Sequence, residues 1–123
     1  MFTHIMVGSD DIERSKKFYD ALFSAIGGEA GIVDPRGRLR YVHNGGVLMV
    51  SKPINGQPAQ HANGGTIGMA MASPEQADAW HAAGVANGGT SVEDPPGSRG
   101  AVYLAYLRDP DGNKLCGLHR PTT

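Results

Sequence analysis

The chain is cut into short segments, each with its own periodicity of apolar and polar positions. Residues 2–8 (Phe-Thr-His-Ile-Met-Val-Gly) alternate and predict a strand. Asp10 or Asp11 then caps a helix to about Ile26, on which Ile12, Ser15, Tyr19, Leu22 and Ile26 recur at helical spacing beside Phe18 and Ala25. Gly27-Gly28 ends it. Three strands are expected at 29–33, 38–43 and 46–51, the last two joined by a hairpin turn at Asn44-Gly45. Residues 53–64 have no periodicity and read as a linker. The order then restarts. A strand is predicted over 66–72, and a helix from Pro74 to about Ala86, capped by Ser73 with Gln76 at the third position. Strands follow at 90–93, 101–108 and 113–119, with Asp109-Pro-Asp-Gly as the turn between the last two.

Strand, helix and three strands are thus written twice, at a spacing of about 62 residues, without repetition of the sequence itself. This predicts an α+β fold. Two βαβββ modules, about 1–52 and 65–120 within a single domain over 1–123, would form a curved mixed sheet of eight strands with two outer helices. Because alternate strand residues share a face, Ile5, Val7, Ile67, Met69, Met71 and Leu115 should face the helices. His4, Met6, Thr66, Gly68, Ala70, Lys114, Cys116 and Leu118 should line the other side.

Composition narrows the function. Eleven Lys+Arg against 12 Asp+Glu leave a net charge of −1, which excludes a strongly basic nucleic-acid binder. Cys116 is the one cysteine, so no internal disulfide forms and a reducing, cytoplasmic location is expected. The N-terminal residues lack the basic and apolar regions of a signal peptide, and no stretch approaches the roughly 20 apolar residues of a membrane helix. The 18 glycines fall largely in pairs that mark turns rather than phosphate-binding loops. Signatures of zinc proteases, zinc fingers, serine hydrolases and P-loops are absent.

Four segments carry a resemblance across nearly the whole chain. They are His4-Ile-Met-Val-Gly-Ser-Asp-Asp-Ile-Glu-Arg-Ser-Lys-Lys-Phe-Tyr-Asp, Ser73-Pro-Glu-Gln-Ala-Asp-Ala-Trp-His-Ala-Ala, Gly88-Gly-Thr through Pro96-Gly-Ser-Arg, and Tyr103-Leu-Ala-Tyr-Leu-Arg-Asp-Pro-Asp-Gly-Asn-Lys-Leu. In this order and spacing the sequence resembles the vicinal oxygen chelate superfamily, the group of glyoxalase I, extradiol dioxygenases, fosfomycin resistance enzymes and bleomycin-resistance proteins. Its metal-dependent members chelate a divalent ion with four side chains from the first and last strands of both modules. By motif these positions fall on His4, Met49 (to within about one residue), Thr66 and Cys116. Of the four, His4 alone is a normal ligand for the metals used there, and Cys116 suits a soft ion such as Zn²⁺. The resemblance therefore implies a protein with no resident metal or other cofactor, in which a divalent ion is the alternative.

What remains is a modest apolar hollow with a few polar groups. Its candidate lining is Met49, Thr66, Gly68, Tyr103, Lys114 and Arg99, with Arg40 or Tyr41 and Tyr106 as further walls. His4 and Cys116 are the candidate catalytic groups. Each has a plainer reading, His4 as a hydrogen-bonded histidine and Cys116 as an apolar filler. The expected function is binding of a small organic molecule in a cleft of the paired modules. The alternatives are a metal-dependent lyase, isomerase or dioxygenase of the superfamily, and a structural dimer without a ligand. The implied partners are a small molecule and a second copy of the chain, with no nucleic acid and no membrane.

Overall fold

A computed structural model describes residues 1–121, so the last two residues of the expected single domain lie outside the described ones. The elements run β1 (Ile5–Gly8), α1 (Ile12–Ala25), β2 (Ile32–Val33), β3 (Leu39–His43), β4 (Gly46–Ser51), β5 (Ile67–Ala70), α2 (Pro74–Ala86), β6 (Thr90–Ser91), β7 (Gly97–Arg99), β8 (Val102–Arg108) and β9 (Lys114–His119). The strands form two mixed sheets, ordered β1-β4-β3-β2 and β5-β9-β8-β6, with β7 paired to β8 beside the second. The α+β class and the doubled order are those expected, but one eight-stranded sheet is replaced by separate sheets of four and five strands. The ninth strand, β7, lies where the Pro96–Arg99 segment reads as a loop. Its residues pair with Val102–Leu104, and Gly100 at φ 59 allows the reversal between them.

Local chemistry sets the boundaries. Asp11 caps α1 by accepting from the Arg14 N–H, and Ser73 caps α2 by accepting from the Gln76 N–H. The β3–β4 hairpin turns at Asn44 (φ 47) and Gly45 (φ 80), the doubly positive turn that suits strand twist. β2 is shorter than 29–33 because the Gly31 N–H donates to Asp20 Oδ1 at 2.9 Å rather than to a neighbouring strand. β1 begins at Ile5, where its parallel pairing to Leu48 of β4 starts.

The two faces of the sheets divide as the alternation predicts. Ile5, Val7, Ile67, Met69, Met71 and Leu115 belong to the core or pack against it, under Phe18, Tyr19, Leu22 and Phe23 of α1 and Ala77 and Trp80 of α2. The helices pack closely because of glycine. A Cβ on Gly84 of α2 would lie 2.4 Å from Leu107 Cδ1 and 3.2 Å from Leu22 Cδ2. The halves are also tied by polar groups. The β8–β9 turn reaches the start of α1, where Asp111 accepts from Arg14 Nη2 at 2.9 Å and from the Asp10 N–H at 3.0 Å. Asn113 Nδ2 donates to the Gly8 carbonyl at 3.1 Å.

Candidate functional site

On the side of the second sheet turned away from α2, the β8–β9 register brings Cys116 opposite Tyr106, and the β5–β9 register brings it opposite Gly68. Lys114, two residues before Cys116, shares its face. The Lys114 ammonium pairs with the Glu93 carboxylate and lies 5.0 Å from the centre of the Tyr106 ring. Glu93 holds φ 57, a conformation that non-glycine residues take sparingly. Cys116 is 6% exposed. Burial pushes its thiol pKa up; the Lys114 ammonium, the Tyr106 hydroxyl and Arg99 pull it down, Glu93 adds to the rise, and the net shift is upward. The thiol is therefore held neutral among groups that could each interact with a polar ligand.

Of the expected lining residues, Lys114, Thr66 and Gly68 lie on this side of the second sheet. A hollow of about 320 Å³ opens at the junction of the halves, between Met6 and Gly8 of β1, Thr66 before β5, Lys114 and Asn113. Val7, Ile67, Gln60, Ala62 and Gly65 complete it, so the segment expected to be a bare linker walls one side. Met49 pairs with Met6 across β1 and β4 on the corresponding side of the first sheet. Arg99 turns back on its own segment, donating to the Gly97 and Pro95 carbonyls at 3.0 and 3.1 Å, with Asp94 at 3.7 Å.

Tyr103 departs from the expected lining. It is an odd-numbered neighbour of Leu104 and Tyr106, and its hydroxyl donates to Asp78 Oδ1 of α2 at 2.6 Å. That hydrogen bond sets it on the helix side, away from Cys116, and raises its pKa. Tyr41 is likewise buried beneath α1, where its hydroxyl meets Asp20 Oδ1 at 2.7 Å. Arg40 alternates with it and is exposed on the opposite side. His4 precedes β1, is exposed, and has Nδ1 2.9 Å from Thr3 Oγ1. Among the described residues no three His, Cys, Asp or Glu side chains are grouped as a metal ion would require. Glu93 went unnoticed in the sequence, which holds no signal that its carboxylate meets Lys114.

Two halves of one element order, each with a parallel pair of strands and a helix over one face, define the paired-module α+β class. The chain belongs to the Glyoxalase/Bleomycin resistance protein/Dioxygenase superfamily, whose model matches residues 1–116. A glyoxalase/bleomycin resistance protein from Albidiferax ferrireducens T118 is 59% identical, with a TM-score of 0.94, covering 98% of this chain and 99% of that one. A glyoxalase-related enzyme from Fulvimarina pelagi is similar in fold at 21% identity and a TM-score of 0.74, over 98% and 89% of the two chains. A family enzyme from Burkholderia phytofirmans PsJN is similar in fold at 15% identity and 0.73, over 97% and 98%. No curated protein matches the sequence. Among the described residues no helix is long and apolar enough to cross a membrane.

Proposed function

We propose that this chain binds a small organic molecule in the hollow between its halves, on the sheet side turned away from the helices, and does so without a resident metal ion. The observation that carries the reading is the grouping of Lys114, Tyr106 and Cys116 beside the hollow walled by Met6, Thr66 and Gly8. Apolar walls with a few convergent polar groups are the ordinary form of a small-molecule site. The candidate ligand set does not fit a hard divalent ion. Met49 offers a thioether and Thr66 a neutral hydroxyl, both poor donors for Mg²⁺, Mn²⁺ or Fe²⁺, while His4 already lies within hydrogen-bond distance of Thr3. We assign the protein a cytoplasmic location from its single buried cysteine. We further propose a homodimer, since the sheet sides opposite the helices leave Met6, Ile32 and Val42 exposed.

The test is a thermal-shift panel of small oxygenated and aromatic metabolites on native protein and on Lys114→Ala, with metal content measured after dialysis against Zn²⁺, Ni²⁺ and Mn²⁺. A metal-free ligand that stabilises native protein and is weakened at least tenfold by Lys114→Ala supports the reading. One equivalent of metal, lost in His4→Ala, overturns it in favour of the metal-dependent enzyme.

A further inference from the structure

A second hollow opens beside the end of α1; it reaches round β5 to Gly68 and Ala70 and shares Ile67 with the first hollow, but takes in none of Lys114, Tyr106 and Cys116. It measures about 240 Å³ and opens between the edge strands β1 and β5, beneath the end of α1. Its floor is apolar, with Ile5, Leu48, Ile67 and Met69. One wall is aromatic. Phe23 and Tyr41 stack with ring centres 4.6 Å apart at 10°, and His43 meets Phe23 edge-on at 6.1 Å and 68°. His43 ends β3, is partly buried, and packs its Nδ1 near Gly28, whose Cβ, were there one, would lie 3.1 Å away. Unlike the rings of His4, His81 and His119, the His43 ring makes no hydrogen bond among the described residues.

Flat aromatic walls select flat occupants, because offset or edge contacts between rings are favourable beyond the area they bury. An apolar cavity of about 150 Å³ admits benzene, so this hollow has room for one or two fused rings. We propose that it is a binding site for a planar aromatic molecule of one or two rings with one hydrogen-bonding substituent, received by the His43 imidazole at the rim. The site meets the hollow beside Lys114 only at Ile67 and does not depend on the function proposed for that hollow.

Methionine methyl groups report the two hollows independently, since Met69 lines this one and Met6 the other. The full chain, labelled at its methionine methyls and assigned with Met69→Leu, would be titrated with 2-naphthol by NMR. The expected result is a saturable shift of the Met69 methyl with Met6 unmoved, and affinity at least threefold weaker in His43→Ala. Ala70→Trp, at an exposed rim position, should weaken binding at least tenfold with its melting temperature retained. Three results would each overturn the proposal: no Met69 shift at 1 mM naphthol, an equal shift in Ala70→Trp, or a Met69 shift on simple dilution, which means that a second copy fills the hollow. A Met6 shift alone would also overturn it, while leaving the site beside Lys114 standing.

Discussion

The Tyr19 hydroxyl of α1 donates to Asp109 Oδ2 of the β8–β9 turn at 2.6 Å, and both residues are buried. The bond joins the first half of the chain to the second. Asp109 also accepts from the Asn113 and Asp111 N–H groups at 2.9 Å and from Asn113 Nδ2 at 2.8 Å, so the carboxylate organises the turn it begins. Burial and the Asp109 charge push the Tyr19 pKa well up, so Tyr19 remains a donor at any ordinary pH.

Tyr19→Phe removes one donor from that buried carboxylate and keeps the ring between Phe18 and Tyr41. Loss of a hydrogen bond to a buried charged group costs about 1.5–3 kcal/mol. Urea unfolding at pH 7 should show a loss in that range with the slope unchanged. An unchanged midpoint would mean that the bond does not help hold the halves together.

Acid should remove a stabilising contribution made by Asp20. Burial raises its carboxyl pKa, but hydrogen bonds from Lys16 Nζ, the Gly31 N–H and the Tyr41 hydroxyl outweigh that and leave it below the usual value. A folded pKa below the unfolded one gives stability that is complete above the unfolded value, near 3.9, and is lost as pH falls through the folded value. Native protein should therefore be more stable than Asp20→Asn at pH 6, with the gap closing below about pH 4. Unfolding curves from pH 2.5 to 6 check this, and a gap that stays constant would contradict it.

The doubled element order and the division of each strand into two faces could be read from the sequence, because alternation and helix caps are local signals. Ile5, Val7, Ile67, Met69, Met71 and Leu115 all fall on the helix side as that alternation requires. What could not be read depends on groups far apart in the chain. Asp109-Pro-Asp-Gly announces a turn, but nothing local says that the turn docks on α1, about ninety residues away. Tyr103, three residues before Tyr106, falls on the opposite face by the same alternation; what the sequence does not give is the Asp78 partner on α2 that holds it there. β7 escaped notice because three residues bounded by Gly and Pro carry too little pattern to mark a strand. Lys114 and Cys116 share a face by simple counting, whereas Glu93 joins them only through the path of a loop.

Two glycines should respond in opposite ways to the same added methyl group. A Cβ on Gly117 would lie 2.9 Å from Trp80 Cε3 and 3.1 Å from Cζ3, and Trp80 is fully buried. Overpacking of this kind costs about 1–3 kcal/mol, so Gly117→Ala should lower the melting temperature measurably. On Gly68 the added Cβ would meet nothing within 4 Å. Gly68→Ala should therefore be neutral or stabilising by about 0.5–1 kcal/mol, because glycine is entropically costly inside a strand. Melting curves of the two variants side by side decide the matter, and equal losses would show that the Trp80 contact is not the cause.

The reactivity of Cys116 measures the electrostatics beside the proposed ligand hollow. Thiolate is the reactive form, and burial has raised this thiol's pKa. Labelling by a disulfide reagent at pH 8 should be at least tenfold slower in the folded protein than in urea, and should still be rising with pH at 9. The variants then separate charge from access. Lys114→Met keeps the bulk of the side chain but removes the cation that favours thiolate, so labelling slows further. Glu93→Gln removes the neighbouring anion and leaves Lys114 unpaired, so labelling speeds up and its rise moves to lower pH. If access alone set the rate, both variants would loosen the same loop and both would label faster. A slower Lys114→Met beside a faster Glu93→Gln can come only from charge acting on the thiol.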